Sequence, residues 1–447
     1  MLRVLPNWHR LCQHLLEVRS SSLVLVGALL IFEVYHWASV TAGRYGRPVG
    51  YFAGWWNFLA WVFGAASTSS ILANQTVCMY AMFHPDFEPK SWHTFISYII
   101  CTWMCCFVVL FANRALPLIE NIGGFFILAG VFIIIIVAAV MPTVNGTGHA
   151  TNDFVWKEWQ NGSGYSSNGF VFCLGMLNGA FAVGTPDAVS HLAEEIKNPS
   201  VNIPKGIMVQ MSIGFITALT YLIALFYATT DLDAVLGSRL VSFPLAAIYQ
   251  QAAGSNAGAT GLLVVTFLPA VVNCIGCYIT AGRTFWSLSR DNATPFSGFF
   301  GQISPAFKNP FNATVLCGVI CTVMGCIYVG NATAFNAFVS SFIILSTLSY
   351  LSAILPHLLS RRKNITPGWF WMKGPIGYIV NGISCLYIMV FIVIFCFPAA
   401  MPVSAVSMNY SSLITGGLTI FVAIFWFWRQ KDYVGPKKVD YSVQRVD

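Results

Sequence analysis

Apolar residues run along this chain in blocks rather than in the short alternations of a soluble fold. Ten blocks, at approximately 51–83, 93–113, 122–142, 168–189, 206–230, 257–285, 312–330, 332–356, 376–399 and 408–428, stand out. Each holds the roughly 20 mostly apolar residues that a helix needs to cross a bilayer core. A further apolar run, "SLVLVGALLIF" (22–32), meets Glu33 and His36 too soon to span. The mixed sequence before it, with Trp8, His9, His14 and Glu17, does not read as a secretory leader. The pattern predicts an all-α polytopic membrane protein.

Composition agrees. Hydrophobic residues make up 57% of the 447 positions and charged residues only 9%, too few to cover a soluble globule of this size. Most of the 13 cysteines lie inside apolar runs, where Cys behaves as a small hydrophobe. Cys274 and Cys277 form a CxxC, but no second ligand pair or His cluster follows, so neither a metal nor another cofactor is expected.

Charge sets the expected orientation. If the spans alternate, one face receives Arg44, Arg47, Arg114, Lys197, Lys205, Arg283, Arg290, Lys308, Arg361, Arg362, Lys363 and Lys373, with Arg429, Lys431, Lys437, Lys438 and Arg445 in the tail. The other face receives only Lys90, Lys157 and Arg239. By the positive-inside rule the first face, and with it the C-terminus, is cytoplasmic. The net charge of +7 therefore reflects topology, and no nucleic-acid partner is implied. Four N-x-S/T sequons, Asn145, Asn161, Asn331 and Asn409, fall on the external face as glycosylation candidates. Asn145 and Asn161 share the longest polar loop, 143–167.

One span is unusual. "LNGAFAVGTPD" (177–187) places Asn178, Gly179, Gly184, Pro186 and Asp187 within an otherwise apolar run. Pro cannot donate a backbone hydrogen bond, and such a break is tolerated only where it is buried in protein or lines a wet cavity. Interrupted helices serve secondary transporters as midplane substrate sites, although a face of small residues can also be a plain packing seam. Asp187 is a functional candidate because an intramembrane carboxylate is costly. Asn74, Gln75 and Asn273 are further polar groups at membrane depth. No G-x-S-x-G, H-E-x-x-H or G-x-x-x-x-G-K-[ST] occurs, so neither an enzyme nor an ATP-driven pump is expected.

Three stretches carry a family resemblance. "HLAEEIKNPSVNIPKGI" (191–207) resembles the E-E-x-x-N-P-x-x-x-x-P-x-x-I element after the sixth helix of the amino acid, polyamine and organocation transporter superfamily. "AGRTFWSLSRDNATPFSGFFGQISPAFKNPFNA" (281–313) is similar to its loop after helix eight, with Arg283, Arg290, Asp291, Pro295, Pro310 and Asn312 in place and Gly282 where Ser is usual. "YHWASVTAGRYGRPVGYFAGWWNFLAW" (35–61) and "GMLNGAFAV" resemble the fungal branch of amino acid, choline and gamma-aminobutyrate permeases.

The resemblance implies the inverted-repeat transporter fold, with the ten spans matching helices three to twelve of a family that has twelve. Residues 1–34 do not resemble its first two helices. The transporter domain is then 35–430, between an atypical segment 1–34 and a cytoplasmic tail 431–447. The implied activity is secondary transport of amino acids or small amines such as gamma-aminobutyrate or choline, coupled to protons, in the plasma membrane ahead of the vacuole. The implied substrate site is an unwound turn at Leu177, Asn178, Gly179, Ala180 and Phe181, with Phe181 covering it as a gate or stacking on an ammonium. Asn74, Gln75 and Asn273 border it. Asp187 is expected to pair with a cationic substrate or to carry a proton, and Glu194 and Glu195 to pair with Arg283 or Arg290 at the inner gate. The alternative expectation is a truncated, non-transporting member that is inert, a sensor or an assembly protein.

Overall fold

The computed structural model describes residues 34–436 except 184, 193–195, 197, 239, 241–242, 331–332, 366, 368–369 and 406. Among the described residues all regular structure is helical. In chain order the helices are α1 (Val34–Thr41), α2 (Gly46–Phe83), α3 (Ser91–Phe111), α4 (Leu116–Val144), α5 (Asn152–Trp156), α6 (Asn168–Val183), α7 (Pro199–Ala228), α8 (Leu232–Gly237), α9 (Pro244–Ala253), α10 (Asn256–Arg290), α11 (Ser297–Phe300), α12 (Phe311–Gly330), α13 (Thr333–Leu359), α14 (Gly374–Ile394) and α15 (Ser411–Arg429). The ten long helices among them coincide with the ten predicted blocks. Eight of the described helices are long and apolar enough to cross a membrane. Two long ones lie outside that set: α2, diluted by Trp, Asn, Ser and Thr, and α12, whose apolar stretch, Phe311–Ile327, is short.

The centre of the molecule is α2, about 57 Å long at 1.5 Å per residue. It packs against α1, α3, α10 and α13. Where lipid replaces water, helices associate through close packing, which small residues permit. Gly54 shows why: a Cβ there would lie 2.7 Å from both Leu288 of α10 and the ring of Tyr35 in α1. Gly282 is explained likewise, since a Cβ would lie 2.5 Å from the Thr314 hydroxyl of α12. The surrounding core joins Trp55, Phe58 and Trp61 to Tyr278, Phe285, Cys321, Phe338 and Phe342. Cys274 and Cys277 are both buried in it. Polar side chains fasten the same helices: Gln75 Nε2 of α2 donates to the Leu263 carbonyl at 2.8 Å and to Thr266 Oγ1 at 2.9 Å in α10.

The chain after α15 does not leave the bundle at once. Tyr433 is 1% exposed, its ring edge-on to Tyr51 at 5.2 Å and to Trp426 at 6.0 Å. Its hydroxyl donates to Tyr35 Oη at 2.9 Å, and Tyr35 donates in turn to the Asp291 carboxylate at 2.9 Å. Burial pushes the Tyr433 phenol above its usual range, so this chain of donors stays intact at physiological pH. Arg47 at the start of α2 holds the carbonyls of Gln430 and Tyr433, and Val434 N–H donates to the Asp291 carbonyl at 3.2 Å. The first part of the expected tail is therefore a clasp joining α1, α2, the loop after α10 and the end of α15.

This seating predicts graded losses. Tyr433→Ala is expected to cost about 3 kcal/mol or more, as for deletion of a buried aromatic ring. Tyr433→Phe keeps the ring and is expected to cost about 1 kcal/mol for the hydrogen bond. Thermal unfolding of the detergent-solubilised protein, followed by size-exclusion chromatography, checks the order; equal melting temperatures for all three proteins would refute a seated clasp.

Candidate functional site

The broken span lies between α6 and α7. Residues 177–181 are helical, not unwound: α6 continues to Val183, two residues past the expected turn. The cause is Pro186, which has no N–H to offer the carbonyl one turn back. Thr185 is consequently outside any helix, and its carbonyl is taken by Gln210 Nε2 of α7 at 3.3 Å. The chain then makes a single 3₁₀ segment at Ala188–Leu192.

That turn aims Asp187 into the protein. The residue is fully buried. Asn57 Nδ2 at 2.8 Å and Trp61 Nε1 at 3.1 Å, one turn apart on α2, both donate to Oδ2. The Tyr350 hydroxyl of α13 donates to Oδ1. His191 Nε2 lies 3.2 Å from Oδ2, and both side chains of this pair are 1% exposed. The other His191 nitrogen, Nδ1, lies 3.2 Å from Thr284 Oγ1 of α10. Ser190 caps the turn, its hydroxyl donating to the Asp187 carbonyl at 2.6 Å. Three structural pieces thus meet at one carboxylate, α2, the 3₁₀ turn and α13, and α10 joins them through His191. Asp187 does not reach interfacial water, as its nearness to residue 194 would suggest. The hydrogen bonds supply what solvent would otherwise provide.

A line of rings leads from this carboxylate to α6. Trp61 stands edge-on to Phe342 at 5.9 Å, and Phe342 edge-on to Phe181 at 5.4 Å. Leu177, Ala180 and Phe181 pack partly on the core, whereas Asn178 is exposed and Gly179 intermediate. Among the described residues of α6 only Val171 is buried, so most of its surface is open. Phe181 is the predicted site residue that the structure brings nearest to Asp187 in this ring sequence.

Other predicted residues stand elsewhere. Asn74 bonds back along its own helix to the Ser70 carbonyl at 2.9 Å, and Gln75 joins α2 to α10 as described above. Asn273 is exposed on α10. Arg283 is half-buried, while Arg290 reaches Asp291 at 3.5 Å and lies over the Trp286 ring at 4.8 Å. Glu194, Glu195 and Asn331 lie outside the described residues. Asn161 and Asn409 spend their amide N–H groups within the fold, on Tyr165 O and Asn168 Oδ1 and on Phe395 O and Phe397 O respectively. Asn145 is exposed at the end of α4. Sequence reasoning missed Asn57, Trp61, His191, Thr284 and Tyr350. The i, i+4 spacing of Asn57 with Trp61, and of Asp187 with His191, is the signal that could have found four of the cluster's members.

Comparison with known proteins fits this architecture. The amino acid permease family profile matches residues 34–420. The choline transporter of Saccharomyces cerevisiae is 32% identical over 391 residues, covering 87% of this chain and 68% of that protein. The 7-keto 8-aminopelargonic acid transporter of the same yeast is 28% identical, covering 83% and 69%. Amino-acid permease BAT1 of Arabidopsis thaliana is 26% identical, covering 90% and 80%. With its bundle of membrane-length helices and a profile match over most of its length, this chain belongs to the amino acid permease family and is a multi-pass membrane transporter, not an enzyme.

Proposed function

We propose that the chain is a proton-coupled transporter of a small amino compound, with a choline-like quaternary ammonium as its leading substrate and amino acids or gamma-aminobutyrate next. The observation that carries this reading is the fully buried Asp187 carboxylate at the break after α6, bound by helices α2 and α13. A carboxylate so placed supplies negative charge without exposing it to the aqueous phases. The rings of Phe181 and Phe342, between α6 and Asp187, offer the aromatic faces that attract a cation carrying no N–H donors. Similarity to a yeast choline transporter supports the same substrate class. The exposed Asn178 amide is the polar group of the approach on α6, with Leu177, Gly179 and Ala180 flanking it in the helix.

In this reading the cation-rich face, which holds Arg47, Arg290 and Arg361, is cytoplasmic, and the protein resides in the plasma membrane. Asp187, with Arg283, Arg290 and the carboxylates of Glu194 and Glu195, belongs to the inner gate. Asn74, Gln75 and Asn273 serve helix packing and the outer surfaces rather than substrate contact. Closure at the inner end depends on the unwound segment being drawn against α2, α10 and α13.

Two measurements test the proposal. Purified protein in proteoliposomes with an inward proton gradient is expected to take up radiolabelled choline above the level of empty vesicles. Phe181→Ala is expected to raise the KM about two- to thirtyfold, the range of a lost cation–π contact. Uptake equal to empty vesicles for choline and for amino acids alike would sink the assignment. For orientation, an amidase-sensitive glycan is expected on protein expressed in a eukaryotic host, lost in Asn145→Gln and kept in Asn161→Gln and Asn409→Gln. A glycan that persists in Asn145→Gln would overturn the choice among the sequons.

A further inference from the structure

We propose that His191, switched by the Thr284 hydroxyl, carries the coupling proton, while Asp187 remains a carboxylate throughout. This rests on the proton-coupled reading above. One of the Asp187 donors, the indole Nε1–H of Trp61, has no means of becoming an acceptor, and Asn57 presents its Nδ2 to the same oxygen. Both point at Oδ2, and the Tyr350 hydroxyl occupies Oδ1. A proton on Oδ2 would face the Trp61 N–H, which cannot accept it, and the three donors in place together favour the anion.

His191 faces the opposite situation. Its Nε2–H donates to Asp187, which leaves Nδ1 to vary. The partner of Nδ1 is a hydroxyl with two acceptors in reach: the Thr280 carbonyl at 2.8 Å and Nδ1 itself at 3.2 Å. When the hydroxyl turns to Nδ1, it donates and the imidazole is neutral. When it turns to Thr280, the Oγ1 lone pairs receive a proton on Nδ1, and the ring is an imidazolium. Rotation of one O–H bond therefore lets His191 gain or lose a proton with neither nitrogen losing its partner. The step balances simply: hydronium gives its proton to the Nδ1 lone pair and leaves as water, adding one positive charge beside Asp187.

The groups facing His191 suit this role. Asp187 on its own segment and Tyr350 on α13 are titratable. From α2 come the neutral Asn57 and Trp61, the latter edge-on to the imidazole at 6.1 Å. From α10 come Thr280 and Thr284, with the half-buried Arg283 next to them in sequence. The face of α7 toward this turn presents Gly206 and Gln210, while Lys205 is exposed. Protonation converts the hydrogen bond that a neutral imidazole donates to the Asp187 carboxylate into an ion pair, which strengthens it. It tightens the hold of the 3₁₀ turn on α2, α10 and α13; loss of the proton loosens it. Proton binding thus favours closure at the Asp187 end, and release favours opening.

The test uses the full chain in proteoliposomes with radiolabelled choline, comparing exchange at equal pH with accumulation under a one-unit pH gradient. Wild type is expected to accumulate substrate up to about tenfold, the limit for one proton. His191→Gln is expected to keep measurable exchange but to show accumulation near unity. Thr284→Val preserves shape without the hydroxyl and is expected to shift the pH midpoint of uptake by about one unit, with Thr284→Ser restoring it. If wild type accumulates and His191→Gln does so equally, His191 is not the carrier. An unshifted midpoint in Thr284→Val also overturns the switch, and decides the matter should His191→Gln fail to fold. Wild-type exchange indifferent to the gradient would instead sink proton coupling itself.

Discussion

A carboxylate without solvent contact has to be surrounded by donors, and in this protein that requirement organises everything around it. Asp187 immediately precedes the short 3₁₀ segment Ala188–Leu192, outside any regular helix. What fixes the turn is the set of bonds that Asn57, Trp61, Tyr350 and His191 make to one side chain. Each bond reaches a different place: two to the central helix α2, one to α13, and, through His191, one to α10. The same contacts that compensate the lost hydration of a charge therefore set the relative positions of three long helices and the break. Partial loss of this set leaves an uncompensated charge, so the arrangement favours a complete cluster over an incomplete one.

Much of the fold was legible in the chain because membrane helices must be both long and apolar. All ten long helices fall on blocks visible by eye, and the breaks between them on Pro, Gly, Asn and charge. The site was legible in outline only. Asp187 stood out as a carboxylate among apolar neighbours, but its partners other than His191 are ordinary residues of other helices, separated from it by 126 to 163 positions. Asn57 and Tyr350 are indistinguishable in sequence from any helix-packing Asn or Tyr. The unwound turn that the family resemblance implies at 177–181 is helical. In the structure propensity yields to packing against α13, and only Pro186, which cannot supply a hydrogen bond at all, ends the helix.

The polar residues of α2 divide along the same logic. Asn57 and Trp61 serve a charge, whereas Gln75, two turns beyond the serine-rich middle of the helix, satisfies carbonyl and hydroxyl groups of α10. Ser67 and Thr68 bond back to Phe63 and Gly64. Thus one helix supplies a functional end and a structural end, and composition alone treats them alike. The distinction appears only when the partner of each group is known.

The clasp at the end of the chain has a consequence for how the protein is made. Tyr433 is synthesised 398 residues after Tyr35, whose hydroxyl accepts its hydrogen bond, and 142 residues after Asp291, the last member of that chain of donors. Membrane insertion proceeds from the N-terminal side, so the helices around α2 assemble while this corner is still missing its final ring. The corner is completed only once Tyr433 has been made, and a stop between Asp291 and Tyr433 leaves Tyr35 and Asp291 without the third member of their chain of hydrogen bonds.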